Sequence, residues 1–164
     1  MIETVLIPRE RKAILIGRNG FVKRKIERVT NTRITINEDV EIEGDMFNVM
    51  KARDVITAIA RGFSPMRAFV LLSKGYELKV ISLIGQNEKT IKRLMARVIG
   101  RKGTTRRIIE YESNTNVSVY GKTVSIIGTS ESIAIAQEAV EALLAGRKHG
   151  SAYIKMKRKK ESND

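Results

Sequence analysis

The chain has 164 residues, 42% hydrophobic and 30% charged, a balance that fits an ordered chain of one domain or two small ones. Its 31 Lys and Arg against 18 Asp and Glu give a net charge of +13, which selects polyanionic partners, nucleic acid or an anionic membrane surface. Cysteine is absent, which excludes disulfides, zinc ribbons and thiol chemistry; the one histidine, His149, lacks the nearby carboxylates of a metal site and reads as an exposed loop residue.

Met1-Ile2-Glu3 opens directly into a short apolar strand with no signal-peptide pattern. No apolar stretch is long enough to span a bilayer, so the expectation is a soluble, cytoplasmic protein without a membrane partner. Thr4 to Ile7 reads as the first strand, stopped by Pro8, and Arg9 to Ile16 as a short helix. Gly17-Arg18-Asn19-Gly20 breaks that helix before a second one from Phe21 to Thr30. Arg33 to Asn37 alternates Ile34 and Ile36 with polar residues, the period of a half-buried strand, and Val40 and Ile42 pair back as a hairpin. Asp45 is placed to cap a helix that carries Val49, Ala52, Val55, Ile56 and Ile59 on one face and closes at Gly62. Ser64-Pro65 starts a linker helix that runs to Leu72 and stops at Gly75. The order then repeats: a strand from Leu78 to Leu83, a helix from Glu88 to Ile99, and the break Gly100-Arg101-Lys102-Gly103. A helix from Thr104 to Glu112, the hairpin of Val117–Val119 with Val124–Ile127, and a helix from Ser130 to Leu144 follow. The domains expected are 1–62 and 76–150, joined by a linker helix over 63–75 and followed by a basic tail over 151–164. The tail's Lys155, Lys157, Arg158, Lys159 and Lys160 either add sequence-independent attraction to RNA or form a disordered solubilising end.

The second half is a copy of the first. Leu15-Ile16-Gly17-Arg18-Asn19-Gly20 returns as Val98-Ile99-Gly100-Arg101-Lys102-Gly103, and Arg24, Ile26 and Glu27 return as Arg107, Ile109 and Glu110. Asn31-Thr32 matches Asn114-Thr115, and Ile34 and Ile36 match Val117 and Val119. After one inserted residue, Gly44, Ala52, Ala58 and Gly62 match Gly128, Ala136, Ala142 and Gly146. A register of this length with a single gap means a duplicated domain.

Two helices that meet at so tight a turn need glycine for backbone angles closed to other residues and for close approach. The amides that open the second helix favour an anion beside the loop. Strand, helix, Gly-x-x-Gly, helix, strand, strand, helix is the order of the eukaryotic-type (type I) KH domain, which this chain resembles over nearly its whole length. The resemblance implies an α+β fold of two tandem KH domains, each a three-stranded antiparallel sheet packed on three helices. It also implies that each loop holds the sugar-phosphate backbone of single-stranded RNA while the bases enter a groove beside the second strand. The charges agree. Arg9, Arg11, Lys12, Arg18, Lys23, Arg24, Lys25 and Arg28 surround the first loop, and Lys89, Lys92, Arg93, Arg97, Arg101, Lys102, Arg106 and Arg107 the second. The RNA-contacting set expected is therefore Gly17, Arg18, Asn19, Gly20, Lys23 and Arg24 in the first copy. In the second it is Ile99, Gly100, Arg101, Lys102, Gly103, Thr104, Arg106 and Arg107. With aromatics at 5% and no Trp, base stacking does not dominate this set, and Ile and Val line the groove.

Other motifs fall away. Gly121-Lys122-Thr123 resembles the end of a P-loop, but Asn116 stands where that motif needs glycine, and the segment lies between two strands. Glu110, Glu112 and Glu138 read as scattered helix-surface acids without the spacing of a metal-dependent nuclease, so no catalytic site, metal or cofactor is expected.

The run from Gly100 to Glu110, followed by Asn116-Val117-Ser118-Val119, resembles the KH region of the partner-of-Nob-one family. So does Gly62-Phe63-Ser64 through Ala68 and Leu71-Leu72, and the compact length resembles the archaeal members. These are KH proteins of ribosomal-RNA processing. The resemblance implies binding near the 3′ end of small-subunit rRNA, as an adaptor for the endonuclease that trims it and for other ribosome-assembly or translation factors. Eukaryotic relatives have lost the first loop, whereas Gly17 and Gly20 are both present here, with Asn19 making that loop the less basic. Two alternatives stand beside this reading: a general KH module for mRNA or RNA decay, and an assembly scaffold that mainly docks proteins.

Overall fold

A computed structural model describes residues 1–164, and the chain divides into two compact units, Met1–Tyr76 and Glu77–Asp164. In the first, β1 (Ile2–Val5) leads through a short 3-10 turn at Arg9–Arg11 into α1 (Lys12–Ile16). The loop at Gly17–Gly20, α2 (Phe21–Thr30), β2 (Arg33–Ile36), β3 (Val40–Glu43) and α3 (Met46–Ala60) follow. The strand order is β1-β3-β2, antiparallel throughout, with Val5 and Ile36 both opposite Val40. One face of this sheet places Ile34, Val40 and Ile42 against Val49, Ala52, Val55, Ile56 and Ile59 of α3, all buried. That face of α3 is the apolar stripe expected from its spacing.

Three details differ from the sequence reading. The first strand begins and ends earlier than Thr4–Ile7, because its length is set by β3: past Val5 there is no ladder partner, and Leu6 is left exposed while Ile7 turns inward. Asp45 has the extended backbone of a cap, yet its side chain accepts no cap hydrogen bond; its carbonyl takes the Val49 amide instead. The linker helix is one α turn, α4 (Pro65–Ala68), continued as a 3-10 turn to Leu72, with the Ser64 hydroxyl accepting from the Arg67 amide as its position suggests.

The second unit repeats the plan with β4 (Tyr76–Ser82), α5 (Glu88–Ile99), the loop at Gly100–Gly103 and α6 (Thr104–Ser113). Next come β5 (Asn116–Tyr120), β6 (Thr123–Thr129) and α7 (Ser130–Leu144), the strand order being β4-β6-β5. Tyr120 pairs with Thr123, which makes Gly121-Lys122 a two-residue hairpin turn and removes any P-loop reading. The sheets and helices are those of two KH domains.

The segment expected as a basic tail is a helix, α8 (His149–Ser162). Ala152 and Met156 lie one turn apart on its inner face and belong to the buried core of the second unit, with Tyr153 packed against it. Its lysines by themselves fit either a solubilising end or sequence-independent attraction to RNA. The i, i+4 apolar pair beneath them was the signal that this segment folds back.

Both units use an arginine as an internal clamp. Arg11 donates through Nε to the Ile59 carbonyl at 2.8 Å and through Nη2 to the Phe63 carbonyl at 2.7 Å. Arg97 donates likewise to the carbonyls of Leu143 (3.1 Å) and Arg147. The acceptors match in the repeat register; the donors stand one helical turn apart, so the register alone did not reveal the pair. Each clamp adds a charged donor to a last-turn carbonyl that already takes a backbone amide, Ile59 from Gly62 and Leu143 from Gly146, and ties it to the segment that follows the helix. These two residues therefore leave the set of phosphate-facing charges in which their sequence neighbours placed them. Replacing Arg97 by alanine should lower the unfolding free energy by about 1–3 kcal/mol. Lysine at the same position keeps the charge but not the fork, and should recover little of that loss in a thermal melt.

Candidate nucleic-acid interface

The two loops have the same backbone. Gly17 sits at φ 74, ψ 174 and Gly100 at φ 73, ψ 178, a region essentially reserved for glycine. A Cβ on Gly17 would lie 2.4 Å from Val22 Cγ2, and one on Gly100 2.1 Å from Thr105 Oγ1. The first glycine thus lets the following helix close onto the loop. Gly20 and Gly103 are left-handed, and a Cβ there would meet chiefly the flexible ends of Arg24 and Arg107, so the second glycine answers to backbone angle. Asn19 and Lys102 are left-handed as well, a conformation that asparagine enters more easily than lysine. Glycine amides close each loop: Gly20 donates to the Gly17 carbonyl at 3.1 Å and Gly103 to that of Gly100 at 3.2 Å.

What this geometry presents is an exposed, cationic helix start. Arg18, Asn19 and Arg24 are exposed in the first copy, and Arg101, Lys102, Thr104 and Arg107 in the second. The Phe21 and Thr104 amides that open α2 and α6 are taken by the Arg18 and Arg101 carbonyls, and each helix start adds a partial positive charge.

Lys23 and Arg106 are placed differently. Lys23 Nζ lies 3.2 Å from Glu27 Oε1, and Arg106 Nη1 lies 2.9 Å from Glu110 Oε1, all four residues being half-buried. The other carboxylate oxygens accept backbone amides across to the sheet, Glu27 Oε2 from Ile34 and Glu110 Oε2 from Val117, both at 2.9 Å. Glu110 is therefore not a scattered surface acid. With Glu27 it pins the helix after the loop to the neighbouring strand, and the cation three places after the second glycine is its partner. The repeat of both glutamates at one register position was the available signal.

This pinning defines the groove. β2 and β5 are edge strands, whose outward amides and carbonyls lack a neighbouring strand. Outward-facing backbone groups alternate along an edge, so with Ile34 and Val117 facing the helix, Ile36 and Val119 do so too. Their backbone groups are available to the edge of a base. In the first copy an open groove of ≈ 480 Å³ runs there, lined by Ile16, Lys23, Glu27, Arg33, Ile34, Thr35 and Ile36. Ile16 is 39% exposed beside it, and Ile99 holds the matching position in the second copy. Ile36 lines this groove and Val119 holds the matching register position in the second copy, two positions that the charge and glycine pattern passed over.

A fold of this kind, repeated with its glycine loop and with aliphatic residues at the positions that line the first copy's groove, defines a tandem type I KH protein. A model of the KH domain matches residues 2–58, and a model of the second KH domain of PNO1, a eukaryotic-type (type I) KH domain, matches residues 75–161. The chain belongs to this PNO1 family of KH-domain proteins. It is 43% identical to a KH domain-containing protein of Methanocaldococcus jannaschii, over 98% of this chain and 74% of that one. It is 29% identical to the pre-rRNA-processing protein pno1 of Aspergillus fumigatus, where the alignment takes in 71% of this chain and only 50% of the fungal one. Among solved structures it matches a chain of the a/eIF2alpha–aDim2p–rRNA complex from Pyrococcus horikoshii OT3 at a TM-score of 0.91 and 46% identity, covering 99% of this chain and 95% of that one. No helix is long and apolar enough to cross a membrane.

Proposed function

We propose that this protein binds single-stranded RNA at the 3′ end of small-subunit rRNA and acts as an adaptor in its maturation and in assembly of the small subunit, in the cytoplasm. The observation that carries this is the pair of Gly-x-x-Gly loops with one backbone geometry, each opening an exposed cationic helix start, the first beside an aliphatic groove. The loops hold phosphates, the groove accepts unstacked bases, and the edges at Ile36 and Val119 read them. The contacting residues are Gly17, Arg18, Asn19, Gly20 and Arg24 in the first copy. In the second they are Ile99, Gly100, Arg101, Lys102, Gly103, Thr104 and Arg107. Lys23 and Arg106, held by their glutamates, shape the groove wall and add their field to it. Relatives named for pre-rRNA processing, and a neighbour solved with rRNA and a/eIF2alpha, support the choice of rRNA and of a translation factor as a second partner. The endonuclease that trims the rRNA end is the further partner this role requires. The role is one of binding and presentation rather than catalysis.

Titration with an oligonucleotide of the small-subunit rRNA 3′ end, against a scrambled one of equal length, tests this reading. The authentic sequence should bind at least ten times more tightly. Equal affinity would favour a general KH module, and no binding a protein-docking scaffold. With Z phosphates neutralised, log affinity should fall against log salt with a slope of roughly −0.7Z. A slope near zero would detach the cations of both loops from the RNA backbone.

A further inference from the structure

Beside the second loop, on the side of α8, lies an open surface cavity of ≈ 580 Å³ lined by Ala96, Gly100, Arg101, Thr104, His149 and Tyr153 among others. The two rings stand 6.4 Å apart, centroid to centroid, at 57°, and both come from the helix that follows the KH fold proper. Resting on the RNA-binding reading above, we propose that this cavity takes one further unpaired base of the same RNA strand, next to the nucleotides held in the second KH groove.

The site is built rather than incidental. His149 Nε2 lies 3.0 Å from the Arg97 carbonyl, and the Arg97 side chain clamps the carbonyls of Leu143 and Arg147. The end of α5, the end of α7 and the start of α8 are thereby tied together immediately before Gly100. Met156 and Ala152 anchor the same helix in the core, and Tyr153 packs against it. Both rings are thus held in place before RNA arrives, which removes much of the ordering cost of stacking. The chemistry matches a nucleotide: aromatic faces for a base on one wall, and on the other a glycine loop and an exposed guanidinium for its phosphate. A strand laid on the Gly100–Gly103 loop passes the mouth of the cavity.

The first copy lacks this subsite. In the register that matches Gly62 to Gly146, Phe69 stands for Tyr153 and Pro65 for His149. The face of Phe69 is already covered by Lys25, whose Nζ lies 4.4 Å from the ring centroid. The extra base therefore belongs to the second copy alone.

The full-length protein is titrated with nested rRNA 3′-end oligonucleotides that extend the register bound by the second groove by one nucleotide on either side, with 2-aminopurine at the added position. In the wild type, one extension should tighten binding roughly tenfold and quench the fluorophore. Tyr153→Ala should abolish both effects while leaving the unextended oligonucleotide bound as before, and Tyr153→Phe should retain both. His149→Ala, at a half-exposed helix start, should remove part of the gain and serves as the measurement if Tyr153→Ala does not fold. An extension gain that survives in Tyr153→Ala, or in His149→Ala should Tyr153→Ala not fold, overturns the proposal. So does an equal loss on all oligonucleotides, which would mean that the rings support the fold alone. A wild type that binds the core oligonucleotide but gains nothing from extension overturns the subsite and leaves the KH reading intact. Absence of binding to any RNA overturns both, and capture of an aromatic-anchored peptide in the cavity would reassign it to protein docking.

Discussion

Replacing Arg101 and Lys102 together by aspartate should cut affinity for the rRNA 3′-end oligonucleotide by at least a hundredfold while the melting curve stays where it was. Both side chains are exposed between the two glycines, and no core contact is lost. Lys102 is left-handed at φ 54, where aspartate is better tolerated than lysine, so stability should change by no more than about 0.5 kcal/mol. Binding suffers because two negative charges then face a phosphate in the place of two positive ones, and the loop amides work only at contact distance. The same change at Arg18 and Asn19 removes one positive charge rather than two, and should weaken binding less. Calorimetric titration and thermal unfolding of both variants check this. Undiminished binding in both would take the loops out of the interface.

Alanine at Gly100 should be far more damaging to the fold than alanine at Gly103, although both glycines belong to one motif. At Gly100 the backbone lies in a region that costs a non-glycine residue about 1–3 kcal/mol, and the new Cβ would lie 2.1 Å from Thr105 Oγ1 and 2.8 Å from the Thr105 amide nitrogen. Relieving that overlap means moving the start of α6, at a further cost of about 1–3 kcal/mol. The sum, about 2–6 kcal/mol, is a large part of the stability of a small domain, and should lower the melting temperature of the second unit by roughly 10 °C or more. At Gly103 the left-handed angle costs about 1–2 kcal/mol, and the nearest atom is the movable Nη1 of Arg107 at 3.3 Å. Equal destabilisation by the two substitutions would mean that the loop tolerates rearrangement and that its first glycine is not fixed by packing.

The sequence by itself determined the duplication, the order of elements, and the position of both loops. Periodicity, glycine placement and a conserved register between the halves are local properties, and a repeat tests each against the other. The expected α2 and α5 bounds, Phe21–Thr30 and Glu88–Ile99, are those of the structure because left-handed Gly20 and Asn31 bracket α2, while α5 runs from the side-chain cap of Asn87, which accepts the Thr90 amide, to positive-φ Gly100. The strand limits were not legible in the same way: β1 stops at Val5 because β3 offers no further partner, and a partner strand is a tertiary fact.

Charge was the least legible feature. Arg11 and Arg97 look like their neighbours along the chain, yet each ends on carbonyls nearly fifty residues away. Lys23 and Arg106 look like phosphate contacts, yet each first meets a glutamate that also accepts an amide from an edge strand. A long cationic side chain reaches far enough that its sequence position does not fix its partner, and what lies within that reach is decided only when the chain has folded. For the same reason a lysine-rich end that reads as a basic tail became α8, whose buried Ala152 and Met156 outweigh its charges and bring His149 and Tyr153 beside the second loop.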